Sequence, residues 1–271
     1  MRIALCNEVV AGLDFAAQAR LAAQLGYAGL EVAPFTLDAE APHRLPASRR
    51  AELRRIAEGE GAPITSLHWL LVAPAGLSIT DAALHGRTLD VMQRLIGLAA
   101  DLGATLLVHG SPKQRAVAAE GDAARAEAAM AKAGEWAAQH GLTYCLEPLD
   151  PAQTNWATSV AEAAAIVARI GNPALRTMLD VSAAGNGEAE PVEALLRRFI
   201  PSGAIAHVHL NDRNRRGPGQ GSDRFAPVFR ALRETGYGGF CAVEPFDYHP
   251  DGPTSAARAI GYLRGVLETG A

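Results

Sequence analysis

The sequence predicts an α/β protein of the (β/α)8 barrel type, commonly called a TIM barrel. Three observations support this class. Short apolar runs alternate with amphipathic segments along the whole chain, which is the pattern of parallel strands joined by crossover helices. Glycines follow several of the amphipathic segments, where they are typical helix stops. The length of 271 residues suits eight such units, and we expect a single domain covering residues 1–271.

The predicted strands are short, mostly apolar runs, several of which are followed directly by a single polar or charged residue. In chain order they cover residues 3–6, 29–33, 64–68, 105–109, 142–146, 175–179, 205–208 and 240–243.

The predicted helices combine apolar residues at helical spacing with charged or polar residues on the opposite face. The first four end before Gly26, Gly61, Gly103 and Gly141, and the last four follow strands five to eight. A doubly wound open sheet is the alternative, but no glycine-rich dinucleotide turn follows the first strand. In chain order the helices cover residues 13–25, 47–60, 81–102, 123–139, 159–170, 192–200, 226–234 and 254–267.

Composition narrows the class of protein. With 49% hydrophobic and 20% charged residues, the chain has the balance of an ordinary globular protein, and its net charge of -4 argues against a nucleic-acid partner. Cys6, Cys145 and Cys241 lie inside predicted strands without metal-ligand spacing, which favours inert thiols in a reducing compartment. No apolar run is long enough to span a bilayer, and the N-terminus runs directly into a strand without a signal peptide. We therefore expect a cytoplasmic protein without a membrane partner.

Four polar side chains follow four successive predicted strands in the second half of the chain. These residues are Glu147, Asp180, His209 and Glu244. Any one of them alone could be a helix cap or an ion-pair partner, but barrel geometry brings all four to one mouth. Three carboxylates gathered there would repel one another unless a cation lay among them. Three oxygen ligands and one imidazole suit an open site for one divalent ion such as Mn²⁺, Mg²⁺ or Co²⁺ better than a closed zinc site.

Further polar residues are expected near the same mouth. Glu31, His68 and His109 end strands two, three and four, and His207 shares a strand face with His209 one layer deeper. We expect the first three to contact substrate. His207 could contact substrate, support a metal ligand or be a buried structural histidine.

Several segments carry a resemblance to a known family. They are LEPL at 146–149, MLDV at 178–181 and, most specifically, HVHLNDRNRRGPG at 207–219. The chain resembles the xylose-isomerase-like superfamily of TIM-barrel sugar isomerases and epimerases, and in motif the ketose 3-epimerases. The resemblance implies that the four strand-end residues bind Mn²⁺ or a similar ion, that Glu147 and Glu244 exchange a substrate proton, and that Arg215 contacts the substrate. It also implies a small sugar or polyol as the partner.

The chemistry implied is proton abstraction next to a carbonyl, through an enediolate held on the divalent ion. Two departures from the ketose 3-epimerase pattern concern substrate recognition, because Ala183 and Gln153 stand where that family has His and Glu. Two alternatives therefore stay open: a lyase or dehydratase using the same enolate, and a barrel that binds a polyol without turnover. The acidic balance argues against the abasic-site endonucleases of the same superfamily. A homo-oligomer is left open.

Overall fold

The computed structural model describes residues 1–270 as a closed barrel of eight parallel strands. The strands are β1 Arg2–Cys6, β2 Leu30–Val32, β3 Ile64–Leu67, β4 Leu106–His109, β5 Thr143–Leu146, β6 Leu175–Asp180, β7 Ile205–Leu210 and β8 Phe240–Val243. Each strand pairs with the next in the chain, and β8 pairs in parallel with β1, which closes the ring. The predicted (β/α)8 class is confirmed.

The strands are connected by helices that cover the outside of the barrel. In the described residues the α-helices are α1 Phe15–Leu25, α2 Ala47–Gly59, α3 His85–Leu102, α4 Asp122–Gln139, α5 Val160–Ile170, α6 Val181–Gly187, α7 Val192–Phe199, α8 Phe225–Glu234 and α9 Gly252–Glu268. None of the described helices is both long and apolar enough to cross a membrane.

The predicted bounds differ from the observed ones in three informative places. The helix predicted from residue 81 begins at His85, because the Ser78 and Asp81 side chains accept hydrogen bonds from backbone amides in the preceding turn. Helix α6 was not predicted. It begins directly after β6 because the carboxylate of Asp180 caps its first turn. Strand β7 extends through Leu210, so His209 lies inside the strand rather than beyond it.

Side-chain alternation along the strands decides which residues face the barrel interior. One small apolar cluster, separate from the large core that packs against the helices, consists of Leu106, Val108, Cys145 and Met178. Leu107, between two members of this cluster, belongs to the helix-facing core, so the cluster occupies the interior side. Glu147 and Asp180 lie two positions beyond Cys145 and Met178. They therefore share the interior side, at the carboxyl end of the barrel.

Candidate active site

The four strand-end residues meet at the carboxyl end of the barrel. Glu147, Asp180, His209 and Glu244 are all buried, and one potential ligand atom from each lies within 4.8 Å of the others. His209 Nδ1 is 2.8 Å from Glu244 Oε2, 3.5 Å from Glu147 Oε1 and 3.8 Å from Asp180 Oδ2. The geometry therefore brings together the residues that the sequence singled out, in a space that a single ion could fill.

The orientation of His209 is set by a buried carboxylate below it. His209 Nε2 donates to Glu31 Oε1 at 2.7 Å, and Glu31 is completely buried. In the neutral ring this hydrogen bond assigns the proton to Nε2 and leaves a lone pair on Nδ1. That Nδ1 is buried and faces three carboxylates, of which Glu244 is nearest, at 2.8 Å. Three carboxylate oxygens and one imidazole nitrogen thus surround a single buried space, and this donor set fits a divalent ion.

The ionisation of the cluster reflects the same shortage of positive charge. Burial raises the pKa of Asp180, and the neighbouring charges of Glu147 and Glu244 raise it further. Burial alone would lower the pKa of His209, but the charges on Glu244 and Glu31 outweigh it and raise that pKa well above its usual value. Both shifts favour the protonated forms, because three buried carboxylates lie close together with little positive charge among them.

Asp180 is held by two groups besides its position on β6. Its Oδ1 accepts from the Ala183 backbone amide at 2.6 Å, and its Oδ2 accepts from Asn211 Nδ2 at 2.7 Å. Asn211 also donates to the Glu244 carbonyl and accepts from the Ser182 amide. Sequence reasoning gave Asn211 no role, although its place two residues after His209 on the interior side was a usable signal.

The two glutamates are held in different ways. Glu244 Oε1 accepts from His68 Nδ1 and from Trp69 Nε1, both at 2.9 Å. Glu147 Oε1 lies 3.5 Å from His209 Nδ1, and within residues 1–270 no shorter donor contact to this carboxylate is found. Gly110 instead lies so close that an added Cβ would be 1.9 Å from Glu147 Oε2. Glu244 is therefore fixed by donors, whereas Glu147 is confined by the backbone of the β4 loop.

A cavity of about 290 Å³ opens above the cluster. Trp69 and Phe246 form an aromatic side of it, with ring centroids 6.1 Å apart. Trp69 and Arg215 have positive φ angles of 51° and 68°, an uncommon conformation for such residues and one found preferentially at functional sites. The lining residues are Trp69, Gly110, Ser111, Pro112, Glu147, Leu149, Asp150, Ala152, Gln153, Asp180, Ser182, Asn186, Arg215, Glu244 and Phe246.

Three closely spaced arginines, within residues 213–216, lie on the loop after β7, and they differ in their partners. Arg213 pairs with Asp223 at 2.9 Å, and Arg216 pairs with Asp247 at 2.7 Å. Arg215 forms no ion pair within the described part of the chain, and its guanidinium lies 4.9 Å from the centre of the Phe246 ring. Arg215 is thus the loop arginine on the cavity wall with donors available to a ligand.

Three of the four other residues expected to contact substrate lie beneath the cavity. Glu31, His68 and His207 are at most 1% exposed and are not among the described residues that line it. His207 lies two residues before His209 on β7, and its Nε2 is 2.7 Å from Glu31 Oε2. Glu31 and His68 instead contact His209 and Glu244, so their position suits support of those residues better than contact with a sugar.

His109 is also off the cavity wall, for a different reason. It shares the side of β4 taken by Leu107, which faces the helices, and its Nδ1 forms a 2.8 Å hydrogen bond with the Tyr144 hydroxyl. Burial, with a further contribution from the nearby Arg115 charge, lowers the pKa of His109 to about 3. The alternation of side chains along β4 could have predicted from sequence that His109 faces the helices.

The two departures from the epimerase motif lie beside the cluster. Gln153 lines the cavity and donates to Asp150 Oδ2 at 2.8 Å. Ala183 is buried in the first turn of α6, where its backbone amide holds Asp180. The side chains at these positions therefore contribute little charge to the cavity.

The closed eight-stranded barrel, with three carboxylates and a histidine gathered at its carboxyl end, places the chain among the TIM-barrel proteins. Comparison with known sequences gives the family. The chain belongs to the xylose isomerase-like TIM barrel family, whose model matches residues 19–266.

Among curated relatives, the chain is similar to fructoselysine 3-epimerase of Escherichia coli O157:H7, with 24% identity over 256 residues and 92% of each chain covered. D-psicose 3-epimerase of Agrobacterium fabrum is 26% identical over 237 residues, which is 83% of this chain and 76% of that protein. L-ribulose 3-epimerase of Mesorhizobium japonicum is 28% identical over 174 residues, or 63% of this chain and 58% of that protein. The chain thus spans less than two thirds of this last relative.

Among solved structures, 3-keto-D-glucoside 4-epimerase from E. coli superposes with a TM-score of 0.83 at 19% identity. The match covers 98% of this chain and 99% of that one. At this identity the likeness shows the shared fold.

Proposed function

We propose that the chain is a divalent-metal-dependent sugar epimerase or isomerase, working as one domain on a ketose or related keto sugar. The observation that carries the proposal is the buried His209 Nδ1, which lies 2.8 to 3.8 Å from one oxygen of each of three carboxylates at the floor of a cavity. The names of the three curated relatives reported above, each a 3-epimerase, support the substrate class.

The proposed metal ligands are Glu147, Asp180, His209 and Glu244. Mn²⁺ is the ion we propose, with Mg²⁺ and Co²⁺ as alternatives, because three carboxylates and one imidazole form a hard, open donor set. When bound, the ion would supply Lewis-acid charge that stabilises negative charge developing on substrate oxygens.

Glu147 and Glu244 are the proposed proton-transfer groups. Both line the cavity, and they come from strands five and eight of the ring, so their carboxylates reach a bound sugar from different sides. One carboxylate removes the proton next to the carbonyl, and the other returns a proton to the opposite face, which inverts the carbon. Oε2 of Glu147, which is not the oxygen that lies 3.5 Å from His209 Nδ1, is the atom we propose accepts the proton.

The cavity wall offers the contacts that a sugar needs. The faces of Trp69 and Phe246 suit the C–H face of a sugar ring or chain, and Arg215 can donate two parallel hydrogen bonds to adjacent hydroxyl oxygens. The loop arginines Arg213 and Arg216 have acidic partners of their own and are not needed for this role.

The proposal is tested by metal reconstitution and a substrate panel. Chelated protein is loaded with Mn²⁺, Mg²⁺ or Co²⁺ and incubated in D₂O with D-fructose, D-psicose, L-ribulose, fructoselysine and a 3-keto-glucoside. We expect an epimer carrying deuterium at the inverted carbon, formed only by metal-loaded protein. Loaded protein that converts none of these sugars and exchanges none of their C–H protons would refute it.

A metal-dependent lyase is the second candidate. Gln153 and Ala183 favour it, because the changed side chains lie beside the ligand cluster where the ketose 3-epimerase pattern has recognition residues. In the same panel a lyase would release water or an aglycone instead of forming an epimer. A barrel that binds polyols without turnover would retain no divalent ion when purified.

A further inference from the structure

The two oxygens of Glu244 have separate partners. Oε2 lies 2.8 Å from His209 Nδ1, inside the ligand cluster. Oε1 accepts hydrogen bonds from His68 Nδ1 and Trp69 Nε1. Because the two donors occupy Oε1, they fix the rotation of the carboxylate and present Oε2 to the cluster.

His68 is itself held from the other side. Its Nε2 lies 3.0 Å from Glu8 Oε2, so the imidazole bridges two carboxylates, Glu8 and Glu244. His68 is completely buried, and the Glu8 side chain is 12% exposed. A ring with a partner at each nitrogen cannot rotate without breaking at least one of the two hydrogen bonds.

The backbone that carries Glu8 is firmly attached to the barrel. Glu8 follows β1 in a single 3-10 turn, Asn7–Val10. The buried side chain of Asn7 accepts from the Ala33 amide at 2.9 Å and donates to the Thr36 hydroxyl at 2.7 Å. The position of Glu8 is therefore set by β2 and its following turn rather than by a free loop.

We propose that Glu8 is a positioning residue for the metal site, acting through His68 to orient Glu244. The proposal rests on the proposed divalent site but concerns a residue that, among the described residues, forms no ion pair with the four proposed ligands and does not line the cavity. Glu8 orients His68, His68 orients Glu244 Oε1, and Glu244 Oε2 is thereby presented to the ion. Groups that orient metal ligands in this way commonly change metal affinity by about 10- to 100-fold.

The test measures Mn²⁺ affinity by calorimetry on the chelated full-length protein, without any substrate. Glu8→Ala should weaken Mn²⁺ binding by roughly tenfold. Glu8→Gln keeps an oxygen that accepts from His68 and should stay within about threefold of wild type. Glu40→Ala, an exposed glutamate whose side chain forms no hydrogen bond in residues 1–270, is the matched control and should not change the affinity.

A double-mutant cycle distinguishes action through His68 from a general loss of charge or fold. In a His68→Ala background, Glu8→Ala should cause no further loss of Mn²⁺ affinity, because the two residues act as one unit. If Glu8→Ala does not fold, Glu8→Asp retracts the carboxylate by one methylene and should show the same tenfold loss.

The possible outcomes separate this inference from the proposed function. Wild-type protein that binds no Mn²⁺ would overturn the proposed metal site itself. Tight wild-type binding with unchanged affinity in Glu8→Ala would overturn the positioning role alone. Equal losses in Glu8→Ala and Glu8→Gln, or equal effects of Glu8→Ala with and without His68, would also overturn it.

Discussion

Gly110→Ala is the sharpest test of the role proposed for Glu147. Gly110 has no unusual φ angle, so alanine suits its backbone. The obstacle is the Glu147 carboxylate, because the new Cβ would be 1.9 Å from Oε2. Ordinary contact begins at 3.4 Å, so that oxygen must retreat by about 1.5 Å. The carboxylate is the free end of a side chain and can move, which keeps the cost to folding small.

The displacement should be costly for catalysis. A misplacement of about 1 Å at a reacting group can reduce the rate by about 10²-fold. We therefore expect Gly110→Ala to lower kcat/KM by at least about 10²-fold, or about 2.7 kcal/mol of transition-state stabilisation. Mn²⁺ affinity should also fall, because Glu147 is a proposed ligand, while the unfolding temperature should change little.

The assay compares Gly110→Ala with Gly97→Ala in initial rates, Mn²⁺ titration and thermal unfolding. Gly97 lies inside α3 with no atom within 4 Å of an added Cβ, so alanine there should leave the rates unchanged and stabilise the fold by about 0.4–1 kcal/mol. A Gly110→Ala protein with wild-type kcat/KM would show that the position of Glu147 is not critical, and the catalytic assignment would fail.

Substitutions at three further parts of the site, namely the metal ligand Asp180, the two glutamates and the loop arginines, test the rest of the proposal. Asp180→Ala should abolish retention of the divalent ion, since it removes one of four proposed ligands; elemental analysis showing equal metal in wild type and variant would contradict the site. Glu147→Gln or Glu244→Gln should lower turnover by at least about 10²-fold without unfolding the protein, whereas full activity in both, measured by initial rates, would refute the acid/base pair. Arg215→Lys should lower kcat/KM by an amount equal to about 1–3 kcal/mol of transition-state stabilisation, because lysine cannot donate the two parallel hydrogen bonds of a guanidinium. Arg213→Lys should have a smaller effect. If Arg215→Lys had wild-type kcat/KM, the loop would have a structural role and not a substrate-binding one.

Much of the fold and the four central residues could be predicted from local pattern. Apolar runs alternating with amphipathic segments specify strands and helices, and parallel strands direct their carboxyl ends to one mouth. Glu147, Asp180, His209 and Glu244 could therefore be placed together without coordinates. Side-chain alternation along β4 also predicts that His109 faces the helices, because it lies two residues after the helix-facing Leu107.

How deeply each polar residue lies in the barrel, and which residues it pairs with, was decided by the tertiary structure. Glu31 meets His209 across 178 residues of sequence, and Glu8 meets His68 across 60. These meetings depend on ring closure and on strand register, including the shift between β2 and β3 at Leu30 and Glu31. Side-chain alternation tells which side of a strand a residue faces, but not how deep it lies relative to residues on distant strands. The sequence therefore predicted that Glu31 and His68 would line the mouth of the barrel. In the structure both are buried beneath the cavity.

Partners from distant parts of the chain also decide which loop arginine faces the cavity. The sequence contains three arginines within four residues, all with the same charge and the same capacity to bind a sugar. Asp223 and Asp247, supplied by later parts of the chain, pair with Arg213 and Arg216 and leave Arg215 over Phe246. The sequence determined that a cationic loop follows β7, and the tertiary ion pairs determined which of its charges remained available to a ligand.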